Sequence, residues 1–147
     1  MSVIRRITAA DRAAYIEMAR EFYQSPAVLA PVPDAYFGRT FDELMRSSGY
    51  AQAYIFEIDG ETAGYALLAK TYSQEAGGLA VWVEELYLRP EHRGRGVGSE
   101  FLEFVRKDVP AARYRLETEP ENESAARLYE RHGYSPLGYV SYVLDEE

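Results

Sequence analysis

Two clusters of residues carry chemistry. The first is Arg93-Gly94-Arg95-Gly96-Val97-Gly98-Ser99, which runs directly into a segment with Phe101, Leu102 and Val105 at helical spacing. A helix N-terminus exposes unpaired N–H groups and carries a partial positive charge. Glycines let a ligand approach the backbone, and arginines recognise phosphate bidentately. The run is therefore an anion site, and a pyrophosphate is its natural guest. It has no lysine to complete a Walker A loop, and its glycines fall two apart rather than in the Gly-x-Gly-x-x-Gly order of a dinucleotide fold. The second cluster is Glu84-Glu85, two carboxylates inside the otherwise apolar stretch Leu79–Leu88. Burial there raises their pKa toward the range useful for proton transfer. Strand alternation sends the pair to opposite faces, unless a β-bulge intervenes.

Composition limits what these groups can serve. The chain has 147 residues, 47% hydrophobic and 27% charged, and the size of one domain with one core. There is no cysteine, hence no disulfide, no thiolate metal site and no cysteine nucleophile, and with only two histidines no metal is implied. The net charge of −8 is the wrong sign for a nucleic-acid binder, suits solubility, and attracts cationic small molecules. No apolar core of signal-peptide length follows Met1–Arg6, and no stretch reaches the roughly 18 apolar residues of a membrane span. A cytoplasmic protein with no membrane partner is the expectation.

The elements that must position the clusters follow from periodicity and punctuation. Val3–Ile7 reads as a strand, and Asp11 as the N-cap of a helix with Tyr15, Met18, Ala19 and Phe22 on one face. A proline-rich loop, Ser25–Pro33, leads to a helix over Asp34–Arg46 with Phe37, Phe41, Leu44 and Met45 inward. Strands Tyr50–Ile58 and Thr62–Tyr72 flank the hairpin signal Asp59-Gly60. The Leu79–Leu88 strand follows a turn at Ser73–Gly78 and ends at Pro90. After the glycine run and its helix come a strand at Arg113–Thr118 and a helix at Asn122–His132, closed by Gly133. Tyr134–Leu144 reads as a last pair of short strands around Gly138. The class is α/β, with a mostly antiparallel sheet and one domain over residues 1–147.

Arg93-x-x-Gly96-x-Gly98 resembles the Gln/Arg-x-x-Gly-x-Gly/Ala signature of the GNAT superfamily of N-acetyltransferases. Glu84-Glu85-Leu86-Tyr87-Leu88-Arg89-Pro90 resembles that family's fourth strand, and Asn122 through Tyr134 its second signature helix. The likeness spans nearly the whole chain and is most specific from about Val83 to Tyr134. It implies a GNAT fold, a twisted, mostly antiparallel sheet of six to seven strands with about four helices. It implies acetyl-CoA as cosubstrate, its pyrophosphate on Arg93, Gly94, Arg95, Gly96, Val97, Gly98 and Ser99, and its pantetheine arm on the backbone of Leu86, Tyr87 and Leu88. By the same resemblance Glu84, ahead of Glu85, accepts the amine's proton. Tyr129 protonates the leaving thiolate, and Asn122 bonds pantetheine or a water. Gly98-Ser99-Glu100 and the strand pattern resemble the spermidine/spermine-type small-amine branch, and dimers are common in the family. Tyr15, Phe22, Tyr23, Tyr36 and Phe37 sit where the family's first helices roof the acceptor site.

The expected activity is acetyl transfer from acetyl-CoA to a primary amine in a ternary complex, with a small cationic amine as acceptor. Two alternatives stand beside it: a protein acetyltransferase acting on N-termini or lysines, and a non-catalytic acyl-CoA-binding module. Retention of Glu84, Asn122 and Tyr129 speaks against the last.

Overall fold

Asp59 and Gly60 both take left-handed backbone, with φ of 52° and 82°, and so close the tight hairpin that their sequence announces. The computed structural model describes residues 1–146, and Glu147, the end of the expected domain, lies outside them. The hairpin joins β2 (Ala51–Ile58) to β3 (Glu61–Ser73), and β3 turns into β4 (Gly78–Leu88). These pair antiparallel, and β1 (Ser2–Arg6) pairs antiparallel on the far side of β2. From β4 the chain crosses over through α3 (Val97–Asp108) to β5 (Arg113–Leu116), which lies parallel to β4. The sheet order is β1-β2-β3-β4-β5.

Helices cover both faces. On one, α3 buries Val97, Phe101, Leu102 and Val105 as its periodicity predicts, and all but Leu102 join Tyr54, Phe56, Leu68 and Val81 in one core cluster. On the other, α1 (Arg12–Tyr23) and α2 (Ala35–Arg46) pack Tyr15, Met18, Ala19, Phe37 and Phe41 against Ile55, Tyr65 and Tyr87. Met45, expected inward, is 40% exposed near the end of α2. The last helix is α4 (Glu123–Arg131), none of whose residues is buried. Among the described residues no helix is long and apolar enough to cross a membrane.

Two expectations need correction. Asp11 precedes α1 but does not cap it with its side chain. Its carboxylate accepts instead from both terminal nitrogens of Arg5, at 2.8 and 2.9 Å, and from the Thr8 N–H. The described residues also form five strands, not six to seven, because Tyr134–Leu144 enters no ladder. Tyr139, Val140, Tyr142, Val143 and Leu144 have strand-type side chains but are exposed. Strand propensity stabilises only when a neighbour satisfies the backbone and covers a face.

Candidate active site

β5 accompanies β4 only from Ala80 to Val83, so β4 continues through Glu84–Leu88 with one edge free of a strand partner. At the point of separation the β3–β4 register slips: Leu68 faces Val83, Leu67 faces Glu85, and Glu84 is left between them as a bulge. Beyond it the Arg89 N–H bonds Ala63 on β3. The Tyr87 carbonyl also points toward β3, lying 2.1 Å from where a Cβ on Gly64 would stand. Antiparallel alternation then turns the backbone groups of Leu86 and Leu88 to the free edge. The Leu88 carbonyl there accepts from Arg93 Nε at 2.8 Å.

This edge lines a cleft of about 710 Å³ whose other wall is α4 and the segment after β5. Glu84, Glu85, Leu86, Tyr87, Leu88, Arg93, Gly98, Asn122 and Tyr129 all border it, so the structure brings together most of the residues singled out by type and spacing or by the family resemblance. Phe22, Glu117, Glu119 and Glu121 border it too, which makes the wall strongly acidic.

The bulge gives the two glutamates different surroundings. Glu85 shares the α1–α2 side with Tyr87, and its oxygens accept from the Tyr23 hydroxyl at 2.5 Å and the Tyr65 hydroxyl at 2.6 Å. Burial pushes its carboxyl up, and the two hydroxyls pull it partly back. Glu84 is raised by burial first, then by the neighbouring charges of Glu85 and Glu117. Tyr87 is itself tied to Glu21 through a 2.7 Å hydrogen bond, and burial ahead of that bond pushes its phenol up to about 12. Tyr65, Glu21 and Glu117 escaped the sequence reading because they come from β3, α1 and the segment after β5, which only the fold brings beside Glu85, Tyr87 and Glu84.

The glycine run forms the strand-to-helix turn beyond the free edge. Gly94 and Gly96 both have φ of 79°, and nothing lies within 4 Å of where a Cβ would project from either. Gly96 stands at the N-cap of α3, so left-handed backbone and the open first turn coincide there. Arg95 is exposed, whereas Arg93 folds back over the Tyr87 ring, 5.8 Å from its centroid. Val97 is in the core, and Ser99 turns its hydroxyl to His132 rather than to the cleft. The structure thus leaves Gly94, Arg95, Gly96, Val97 and Ser99 off the cleft wall itself. On α4 Asn122 is the cap its position suggests, its Oδ1 accepting from the Ala125 N–H at 3.1 Å. Burial raises the Tyr129 phenol. His132, read as a mere helix end, is hydrogen-bonded on both ring nitrogens.

Residues 13–134 match the acetyltransferase (GNAT) family profile. The thialysine N-epsilon-acetyltransferase of Sus scrofa is 28% identical over 72% of this chain and 74% of its own length. The uncharacterized N-acetyltransferase YhfO of Bacillus subtilis is 29% identical over 81% of this chain and 90% of its own. Among solved structures, AAC(6')-Iy in complex with the bisubstrate analog CoA-S-monomethyl-acetylneamine superposes with a TM-score of 0.82 at 16% identity, covering 99% of each chain.

Proposed function

The chain belongs to the GNAT family and is an acetyl-CoA-dependent N-acetyltransferase, and from that premise we propose that its acceptor is a small cationic amine, acetylated in the cleft between β4 and α4. The observation that carries this is the acidic wall at the end of the free β4 edge. Glu84, Glu85, Glu117, Glu119 and Glu121 border one cavity, and the basic turn enters it only through Arg93, with Gly94, Arg95 and Gly96 outside its wall. An anionic cosubstrate and a cationic acceptor would each find its own end.

The turn suits a pyrophosphate through its open glycines and helix N-terminus. The backbone groups of Leu86 and the Leu88 N–H on this edge suit the pantetheine amides and the oxygen of the thioester carbonyl. The amine nitrogen attacks that carbonyl, a C–N bond forms and the C–S bond breaks. The ammonium proton leaves to Glu84, directly or through a water. Glu84 is preferred because both oxygens of Glu85 are engaged by Tyr23 and Tyr65. Tyr129 on the opposite wall gives its proton to the departing sulfur, the nitrogen loses its second proton as the adduct collapses, and Tyr129 takes that proton up through water while Glu84 returns the first to solvent, so thiol and amide are released. Asn122 holds the start of the same helix.

The relatives support a small acceptor. One is named for an N-epsilon amine of thialysine, and one structural neighbour holds an analog built on an acetylneamine. Acetyl-CoA turnover over diamines, polyamines, amino-acid side-chain amines, aminoglycosides and peptides tests the reading. Turnover with the small cationic amines is expected. Turnover confined to peptides would replace it by protein acetylation, and none with any amine would leave only coenzyme binding.

A further inference from the structure

We propose that His132 is a positioning residue, which ties the phosphate turn to α4 and so sets the place of Tyr129 in the cleft. The proposal rests on Tyr129 being the acid of the reaction above. His132 ends α4, three residues after Tyr129. Its Nε2 lies 2.5 Å from the Ser99 hydroxyl and its Nδ1 lies 2.8 Å from Glu103 Oε1. A neutral ring with its proton on Nδ1 satisfies both contacts: Nδ1–H donates to Glu103, and Nε2 accepts from Ser99. Both partners belong to α3, and Ser99 lies in its first turn, two residues from Val97 where the helix begins.

Polar contacts matter here because apolar ones are few. No residue of α4 is fully buried, Tyr129 included, so the helix is not fixed by a core stripe of the kind that holds α3. Its Leu128 only reaches toward Gly98, and the Tyr129 ring meets Tyr134 with centroids 6.2 Å apart. The His132 side chain, by contrast, is 14% exposed and has a partner on each nitrogen. The connection to Tyr129 is direct. The backbone N–H groups of His132 and Tyr134 both donate to the Tyr129 carbonyl, at 3.0 and 3.1 Å, around Gly133 with its φ of 89°. An imidazole fixed to α3 therefore fixes the backbone that carries the phenol. Ser99 would also report an occupied phosphate turn to α4, since its own N–H belongs to that first turn.

A double-mutant cycle on the whole protein separates positioning from mere structure. His132→Ala should lower kcat about tenfold or more, within the loss of roughly 10² that an ångström of misplacement causes. KM for acetyl-CoA should move far less. In a Tyr129→Phe background the same change should cost almost nothing further, because the group it positions is gone. Glu103→Gln keeps an acceptor for Nδ1–H and should retain activity. Should His132→Ala not fold, His132→Asn keeps a donor to Glu103, loses only the Ser99 link, and should show the same non-additivity. If Tyr129→Phe is impaired but the histidine variants turn over normally, or lose the same factor in both backgrounds, the positioning role is overturned and the acid assignment stands. If Tyr129→Phe turns over like the native protein, the acid assignment falls and the positioning role falls with it.

Discussion

Glu84→Gln tests the base assignment, and its effect has a pH signature that can be worked out in advance. An alkylamine has a pKa near 10.4, so at pH 7 only about one molecule in a thousand or fewer is neutral. A positioned base is worth roughly 10² to 10⁴ in rate. Removing it leaves the variant dependent on the free amine, and kcat/KM at pH 7 should fall about 100- to 1000-fold. From there each unit of pH raises the neutral fraction about tenfold. With Glu84 accepting the proton, the native rate should depend far less on the free-amine fraction over this range; the Glu84 carboxyl is raised by burial first, then by Glu85 and Glu117. The ratio between the two proteins should therefore shrink about tenfold per unit between pH 7 and 9. Stability gives a second reading of the same group. A carboxyl raised by burial stabilises the fold while protonated, and that contribution is lost as pH rises through its folded value. At neutral pH the charge is a cost, so Glu84→Gln should melt at or above the native temperature. Steady-state kinetics across pH and a melting curve check both. A constant ratio at every pH would refute proton acceptance, and a larger defect in Glu85→Gln would assign the base to the other glutamate.

Two further changes probe the scaffold. Gly96→Glu places a side chain and a negative charge where φ is 79°. It should abolish acetyl-CoA binding by calorimetry at a strain of roughly 1 to 2 kcal/mol, whereas Gly98→Ala, whose new Cβ would meet Leu128 and Leu86 at an ordinary 3.6 and 3.8 Å, should still bind. Gly64→Ala drives a Cβ to 2.1 Å from the Tyr87 carbonyl. It should cost roughly 1 to 3 kcal/mol of stability by denaturant titration and, because β4 must shift beside the cleft, lower kcat/KM as well.

What could be read from the chain was local. The hairpin needs only Asp59 and Gly60, the cap of α4 only Asn122 and the N–H three residues on, and the strand-to-helix turn only its glycines and the helix after it. Each is a short-range rule about backbone geometry. The glutamate pair was half legible. Alternation assigns Glu84 and Glu85 to opposite faces, but the bulge that decides their surroundings exists only because β3 lies alongside with its register shifted at Leu67 and Leu68. The hydroxyls on Glu85 come from positions 62 and 20 residues away, and no periodicity encodes such a meeting. The final strands failed for the complementary reason. Tyr139 to Leu144 has the side chains of a strand, but a ladder is a property of two segments, and propensity names only one.

Charge separation within a small protein explains how one cleft could order two substrates. The chain is acidic, with a net charge of −8, yet Arg93 and Arg95 are gathered at one turn and α3 begins there. Coenzyme A brings phosphates, an amine acceptor a positive charge, and neither gains by taking the other's place. Arg93 links the two ends. Its Nε holds the Leu88 carbonyl at the limit of the free edge while its guanidinium lies over Tyr87, whose hydroxyl reaches Glu21 on the acidic side. The proposed phosphate end would thus be connected through one arginine and one phenol to α1, on the proposed acceptor side. Replacing Arg93 would loosen the β4 terminus as well as remove the proposed phosphate contact. That is a reason for arginine rather than lysine at this position, since a planar fork can donate to a carbonyl, lie on a ring and still keep N–H groups for phosphate.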